Sequence, residues 1–433
     1  MSPSNLRRRN IKGGRRRKHE LLRQRQDFYR TIWSLASSML GSRVLGIIYP
    51  LLALSIDASP MQVGWVSFAL TVPGLFLFIP AGVLADRADP RSVLLLTEIC
   101  RGFTVLSIFS ATLVNNVTIL HIIVAAFLEG SLYVVYSLAE TALISRCVSP
   151  ELTRKRLVTV ETGAHLAVLA GRPLGGMLFS CGAQSAFLVN VLLFVFSGMY
   201  LSAVTQGKNV RRSRTSVMGQ LRHGVRDLRR RSLTEEISSG FREVRRHHFL
   251  RHAIVATTAT NLSVNMLIII FLAGSAERSP VLVGLVLAAG GIGGALGSML
   301  VRLDSVRRYF RPSTRAVVTQ MWIWVFALLI ATLTEPIYYG LATFVTGCIG
   351  SMMNIALKTY EFNRVERSKL GRVTSVHRLA ANAAICVAAP LGGWLAAESS
   401  HYATGIVFLF TVIMAVYVSV KMPNWRGRLA AAQ

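Results

Sequence analysis

The sequence predicts an all-α integral membrane protein, with twelve transmembrane helices arranged as two six-helix pseudo-symmetric bundles. Three observations carry this expectation. Twelve apolar stretches of about 20 residues are each long enough to cross a bilayer as a helix. Charge is sorted around them. Of 48 Lys and Arg, the odd-numbered connections (around Asp57, Asn115, Cys181, Glu277, Glu335 and Glu398) hold only Arg278. Three more lie well inside apolar stretches (Arg43, Arg101, Arg172), which leaves 44 on one side, in the even-numbered connections, the two tails and the span ends that adjoin them. This is the positive-inside pattern, and it predicts a multi-pass protein of the cell membrane with both termini cytoplasmic. Finally, the halves repeat. Ser59-Pro60 with Val63-Gly64 recurs as Ser279-Pro280 with Val283-Gly284, and Pro173-Leu174-Gly175-Gly176 recurs as Pro390-Leu391-Gly392-Gly393.

In chain order, a basic cytoplasmic tail (1–30) leads into spans one to six at 31–53, 63–85, 92–114, 119–144, 157–180 and 185–204, so the first bundle covers 31–205. The first apolar run is too long for the core of a cleavable signal peptide. The segment 206–250 holds twelve Lys and Arg and too few apolar residues to span. Within it, Ser232 and Glu235 form a capping box, with Ile237, Phe241 and Val244 following at helical spacing. The segment reads either as an interfacial helix with its basic face toward lipid headgroups or as a solvated linker. Spans seven to twelve follow at 251–273, 281–302, 315–333, 336–357, 373–397 and 401–420. They make a second bundle over 251–421 with a cytoplasmic tail at 422–433. Six plus six spans in parallel repeats is a transporter architecture, with the substrate site between the halves.

Composition narrows the function. The chain is 52% hydrophobic and 16% charged, which leaves no water-soluble core. The net charge of +28 lies mostly in the even-numbered connections and the tails, where it meets anionic lipid headgroups. No aromatics interleave with the basic runs, so nucleic acid is not expected as a partner. The five cysteines lack metal or redox spacing. No phosphate-cradling loop, metal cluster or nucleophile elbow appears, so neither an enzyme nor a cofactor is expected.

The second connection reads Gly82-Val83-Leu84-Ala85-Asp86-Arg87-Ala88-Asp89-Pro90-Arg91. It resembles the loop signature of the major facilitator superfamily at Gly82, Leu84, Asp86, Arg87 and Arg91, and departs from it at Asp89 and Pro90. The Asp-Arg-x-Asp-x-Arg form is similar to a variant found in bacterial exporters of siderophores and macrolides. Ser59-Pro60, Gly64, Pro80-Ala81-Gly82, Glu98 with Arg101, and Pro173-Leu174-Gly175-Gly176 resemble the same subgroup. The resemblance implies a cytoplasmic gate at the boundary of the two halves. There Asp86 would accept N–H groups from the start of span eleven, near Arg372, and Arg87 and Arg91 would pair around it. Gly163, Gly171, Arg172, Pro173, Gly175 and Gly176 resemble the Gly-Pro-rich bending motif of family antiporters, with Arg172 where that motif has Pro.

Ionisable residues inside spans are costly and point to mechanism. Span four places Glu129, Tyr133, Tyr136 and Glu140 on one face, and span five places Glu161, His165 and Arg172 on one face. Glu129, near mid-span, is the first candidate for carrying a coupling proton. The alternative is a structural pair with Arg43 or Arg172. His165 is the second candidate, while Glu140 and Glu161 lie nearer the cytoplasmic ends. Arg43, Arg101, Arg172 and Glu98 are expected to line the cavity, and Tyr133, Tyr136, Asn261, Asn265 and Asn382 to contact substrate. The expected activity is proton-coupled efflux of a small organic compound by alternating access. A lysolipid flippase of the same fold and a non-transporting membrane scaffold remain as alternatives.

Overall fold

The computed structural model describes residues 3–78, 81, 89–147, 169–204, 233–309, 313–333, 335–399 and 402–421. Gly82, Leu84, Asp86, Arg87, Glu161 and His165 lie outside the described residues. The molecule is an all-helical twelve-span protein in two bundles, and ten of its helices among the described residues are long and apolar enough to cross a membrane. Spans two and five complete the set. Span two is broken by Pro73 into Pro60–Thr71 and Pro73–Phe76, because proline removes a ladder N–H. Span five is described over 169–180.

The remaining spans are Pro90–Leu113, Ile119–Cys147, Ala183–Ser202, His248–Ala273, Pro280–Leu300, Thr314–Ala331, Pro336–Arg364, Arg367–Glu398 and Ala403–Lys421. Span one differs from expectation. It is the end of a single helix, Pro3–Ser55, that continues back through the basic tail. Only Tyr29–Ser55 of that helix is apolar enough to cross. Large apolar side chains such as Phe103, Leu120, Phe326, Ile337 and Val420 are exposed, as a lipid-facing surface requires.

Local chemistry sets the helix ends. Ser59 caps span two with a full capping box: its hydroxyl accepts from the Gln62 N–H, and Gln62 Oε1 accepts from the Ser59 N–H at 2.8 Å. Asp89 caps span three, accepting from the Ser92 N–H at 3.1 Å, and Pro90 takes the first helical position. The two departures from the loop signature are therefore a helix start. The three hairpin turns on this side of the first bundle each use a left-handed residue: Asp57 (φ 58°), Asn115 (φ 51°) and Gly182 (φ 112°). Asp, Asn and Gly tolerate that region best.

The basic segment contains a helix, Leu233–Arg246. It lies on the start of span eleven: a side chain at Gly240 would meet the Arg372 carbonyl oxygen at 2.9 Å. Glu243 pairs with Lys369 at 3.4 Å, Val244 is buried, and Arg242, Arg245 and Arg246 are exposed. A protein neighbour thus takes its inner face.

The repeated motifs turn out to be partners. Gly64 of span two packs on span eleven, where an added Cβ would lie 2.7 Å from the Ala389 oxygen and 3.2 Å from Gly393 Cα. Gly176 of span five packs in the same way on span eight, against the Pro280 carbonyl and 3.1 Å from Gly284 Cα. Each proline-glycine start of a span in one half meets the Pro-Leu-Gly-Gly run of the other. Both crossings lie toward the side that carries the odd-numbered connections. There one apolar core runs through both halves, from Val44–Ala53 through Met266–Leu272 and Val283–Leu287. Toward the basic side the core divides. Leu35, Leu94, Tyr136 and Leu143 belong to one cluster, and Ala253, Val317, Met353 and Val373 to another. Among the described residues, the buried apolar core is shared by the halves on one side and divided between them on the other.

Candidate functional site

Among the described residues of spans one to six, the most enclosed charges form one cluster. Arg101 of span three is fully buried, and Glu98 and Glu129 are each 2% exposed. Arg101 Nε donates to both oxygens of Glu129, at 3.0 and 3.1 Å, and Nη2 reaches Oε1 of the same carboxylate. Nη1 donates to Ser38 Oγ at 2.7 Å, and Nη2 to Ser42 Oγ, both on span one. Phe194 of span six lies 4.1 Å from the guanidinium carbon, and Tyr136 and Tyr133 stand at 5.4 and 5.9 Å. Glu98 Oε1 accepts from Ser197 Oγ at 3.0 Å and sits 3.8 Å from Arg101 Nη1, while its Oε2 has no hydrogen-bond partner among the described residues. Four helices therefore contribute to a site with two carboxylates and one guanidinium.

This geometry corrects three expectations. Glu129 is paired with Arg101, one span away, and not with Arg43 or Arg172. Arg101 and Glu98 are enclosed by spans one, three, four and six and do not line the space between the halves. Tyr136, 1% exposed, packs in a core with Leu94 and Leu143 and is not placed to touch a substrate. The physical reason is common to all three. An ionised group at membrane depth is stabilised by the nearest partner that excludes lipid, and helix packing, not sequence spacing, decides which partner that is. Glu98 with Arg101 at i, i+3 was the available signal that span three carries its own charge pair.

Arg43 and Arg172 occupy a different place. Both are half-buried, and neither makes an ion pair among the described residues. Gly171 lets span five close onto the backbone of Arg43. Arg172 Nη1 donates to the Leu287 carbonyl oxygen of span eight at 2.7 Å, crossing from one half to the other. Arg172 belongs to the Gly176–Gly284 crossing: a side chain at Gly284 would meet the Arg172 carbonyl oxygen at 2.8 Å. Each charge carries a cost of about 2.5–3.5 kcal/mol at mid-membrane.

Across the boundary, Asn261 and Asn265 of span seven are half-buried and donate their amides to Thr257 and Asn261 carbonyls at 2.9 and 2.8 Å, which leaves their side-chain oxygens as acceptors. Asn382 of span eleven is half-buried as well. At the basic end of the second bundle, buried Glu361 accepts from Thr374 Oγ1 at 3.2 Å and lies 3.0 Å from His377 Nδ1. Sequence reading missed Glu361 because span ten runs further, to Arg364, than its apolar core suggests.

Of the gate motif, only Arg91 is described. Its Nε donates to the Leu201 carbonyl at 3.1 Å and its Nη2 to that of Ser202 at 2.5 Å, so it neutralises the negative end of span six. Arg30 does the same at Ala203, at 2.7 Å. Of the bending motif, Gly171, Gly175 and Gly176 are all contact points: Gly171 and Gly175 against span one, Gly176 against span eight. A groove of about 430 Å³ lies between spans three and six, lined by apolar side chains such as Ile99, Phe103 and Val195, with Glu98 among its residues. Its walls come from spans three and six alone. Among the described residues, no group of three or more His, Cys, Asp or Glu side chains is placed to hold a metal ion.

The comparisons with known proteins agree with this architecture. The sequence matches the Major Facilitator Superfamily over residues 31–389. It is 24% identical over 399 residues to the uncharacterized MFS-type transporter y4rN of Sinorhizobium fredii, covering 89% of this chain and 92% of that protein. Among solved structures, the fold is similar to the nucleoside transporter NupG (TM-score 0.68, 12% identity, 92% of this chain and 98% of that one). It is also similar to a bacterial homologue of the iron transporter ferroportin in an inward-facing state (TM-score 0.66, 16% identity, the same coverage). The chain belongs to the major facilitator superfamily of membrane transporters.

Proposed function

We propose that this transporter is a proton-coupled exporter of a small organic compound, akin to the siderophore and macrolide exporters, working by alternating access in the cell membrane with both termini cytoplasmic. The observation that carries the reading is the buried cluster of two carboxylates and one guanidinium. With both carboxylates ionised it holds one net negative charge in a lipid-excluded interior, and one proton makes it neutral. Glu129 is fully engaged by Arg101. Glu98 keeps a free oxygen, so a proton on Glu98 breaks no ion pair. The coupling role expected for Glu129 passes in this proposal to Glu98, with Glu129 as the group that holds Arg101.

Alternating access is supported by the division of the core. Spans two with eleven and five with eight close one side through small residues, while the apolar clusters on the basic side stay apart. With the basic side cytoplasmic, this is an inward-open state, in which a substrate would load for export. The lysolipid alternative gains nothing from the groove at spans three and six, because that groove takes no residue from the second half.

The test is accumulation of a macrolide and of a ferric siderophore in cells expressing the chain, with and without a protonophore. Lower accumulation that the protonophore abolishes is the expected result. Efflux that persists without a proton gradient would end the coupling proposal, and unchanged accumulation of both would end the substrate subgroup.

A further inference from the structure

We infer that Arg43 and Arg172 form an anion-binding site beneath the seal between the halves, and that the transported compound carries a carboxylate or phosphate group. The inference rests on the alternating-access reading above and adds the substrate's charge to it.

Three observations converge. Two arginines stand on adjacent spans, where Gly171, the residue before Arg172, lets span five close onto Arg43. Neither has a carboxylate partner among the described residues, although the same bundle supplies two carboxylates to Arg101 alone. Two like charges in the middle of the membrane repel each other, and an anion between them would remove both the repulsion and the unpaired charge. Both are only half-buried, whereas Arg101 is fully enclosed, so neither is sealed off from a solute as Arg101 is.

The tie from Arg172 Nη1 to the Leu287 carbonyl gives the site its connection to the transport cycle. That bond joins spans five and eight beside the Gly176–Gly284 crossing, which must part when the other side of the protein opens. An anion that takes up the remaining N–H groups of Arg172 would compete with that carbonyl and loosen the seal. The planar fork of arginine suits carboxylate and phosphate oxygens, which accept two parallel N–H bonds. Free side-chain oxygens of Asn261 and Asn265 offer acceptors for a donor elsewhere on the same molecule.

The test uses the full chain, purified in detergent at fixed pH and constant ionic strength with no gradient, and reads thermal unfolding against titrations of citrate, benzoate, lysophosphatidylglycerol and benzylammonium. Saturable stabilisation by citrate or benzoate, weakened about ten-fold or more by Arg43→Gln and by Arg172→Gln, is expected for a free organic acid. The same dependence seen only with lysophosphatidylglycerol would assign the anion to a lipid headgroup. Stabilisation by benzylammonium equal to that by the anions overturns the inference. So does an anion effect that survives in the double variant, or the absence of any anion effect on the unmodified chain. The last comparison needs no variant to fold. Because no proton gradient is present, failure here leaves proton coupling standing, and failure of the protonophore experiment leaves anion binding standing.

Discussion

Glu98 and Glu129 lie within one cluster, yet their replacements should behave differently. Glu129→Gln removes the carboxylate that Arg101 grips with two N–H bonds and leaves a buried guanidinium with one distant partner. A loss of about 3–5 kcal/mol is expected, read as a lower unfolding temperature in detergent. Glu98→Gln keeps the Ser197 contact and lowers the net charge of the cluster to zero, so stability should change by no more than about 1 kcal/mol. The same variant should lose pH-driven transport. Normal pH-driven transport by Glu98→Gln would remove it as the proton carrier, and a stable Glu129→Gln would show that the Arg101 pair is dispensable. The cluster's components were legible in the sequence as intramembrane charges on spans three and four. Their pairing was not, since the choice of Arg101 over Arg43 or Arg172 depends on which helices are neighbours and how each is rotated.

Between elements, glycines divide by the contact they serve. Gly297 and Gly293 of span eight press on Cys348 and Phe344 of span ten inside one bundle, and Gly176 presses on span eight across the two. A valine at Gly297 should therefore destabilise the bundle by about 1–3 kcal/mol. Gly176→Val should leave each bundle intact and hold the sealed side open, because its clash is with the opposite half. Labelling of Ser180→Cys by an impermeant thiol reagent from outside, in a background with Cys181 replaced, reads this: faster labelling in the Gly176→Val variant is expected, and unchanged labelling would show that the crossing is not the seal. The gate motif is an element of the same kind on the basic side. Asp86→Asn should strongly reduce transport while insertion into the membrane stays intact. Normal transport by that variant would make Asp86 a turn residue.

For the molecule as a whole, charge sorting makes a topological prediction. Reporters fused after Thr205 and at the C-terminus should read cytoplasmic, and one inserted near Asn116 should read external. An external reading at Thr205 would contradict an even number of spans before it. The sidedness matters to mechanism, because the same inter-half geometry is inward-open with the basic side in the cytoplasm and outward-open with it reversed.

Span number, the repeated halves and membership of the superfamily were readable from the sequence alone. They rest on properties that run along the chain: the length of each apolar run, the alternation of Lys and Arg between connections, and short motifs at fixed spacing. The break in span two at Pro73 and the helix start at Asp89-Pro90 were not foreseen: span two was expected unbroken over 63–85, and Asp89 and Pro90 stood only as departures from the loop signature. Only the tertiary structure decided that the repeated Ser-Pro and Pro-Leu-Gly-Gly motifs are contact partners across the two halves, that Glu129 belongs to Arg101, and that Arg43 and Arg172 sit on adjoining spans with no carboxylate partner among the described residues. Those outcomes depend on helix neighbours and rotations. In a bilayer these are set by how closely backbones can approach and by which buried charges can be satisfied, and neither is written in the periodicity of a single span.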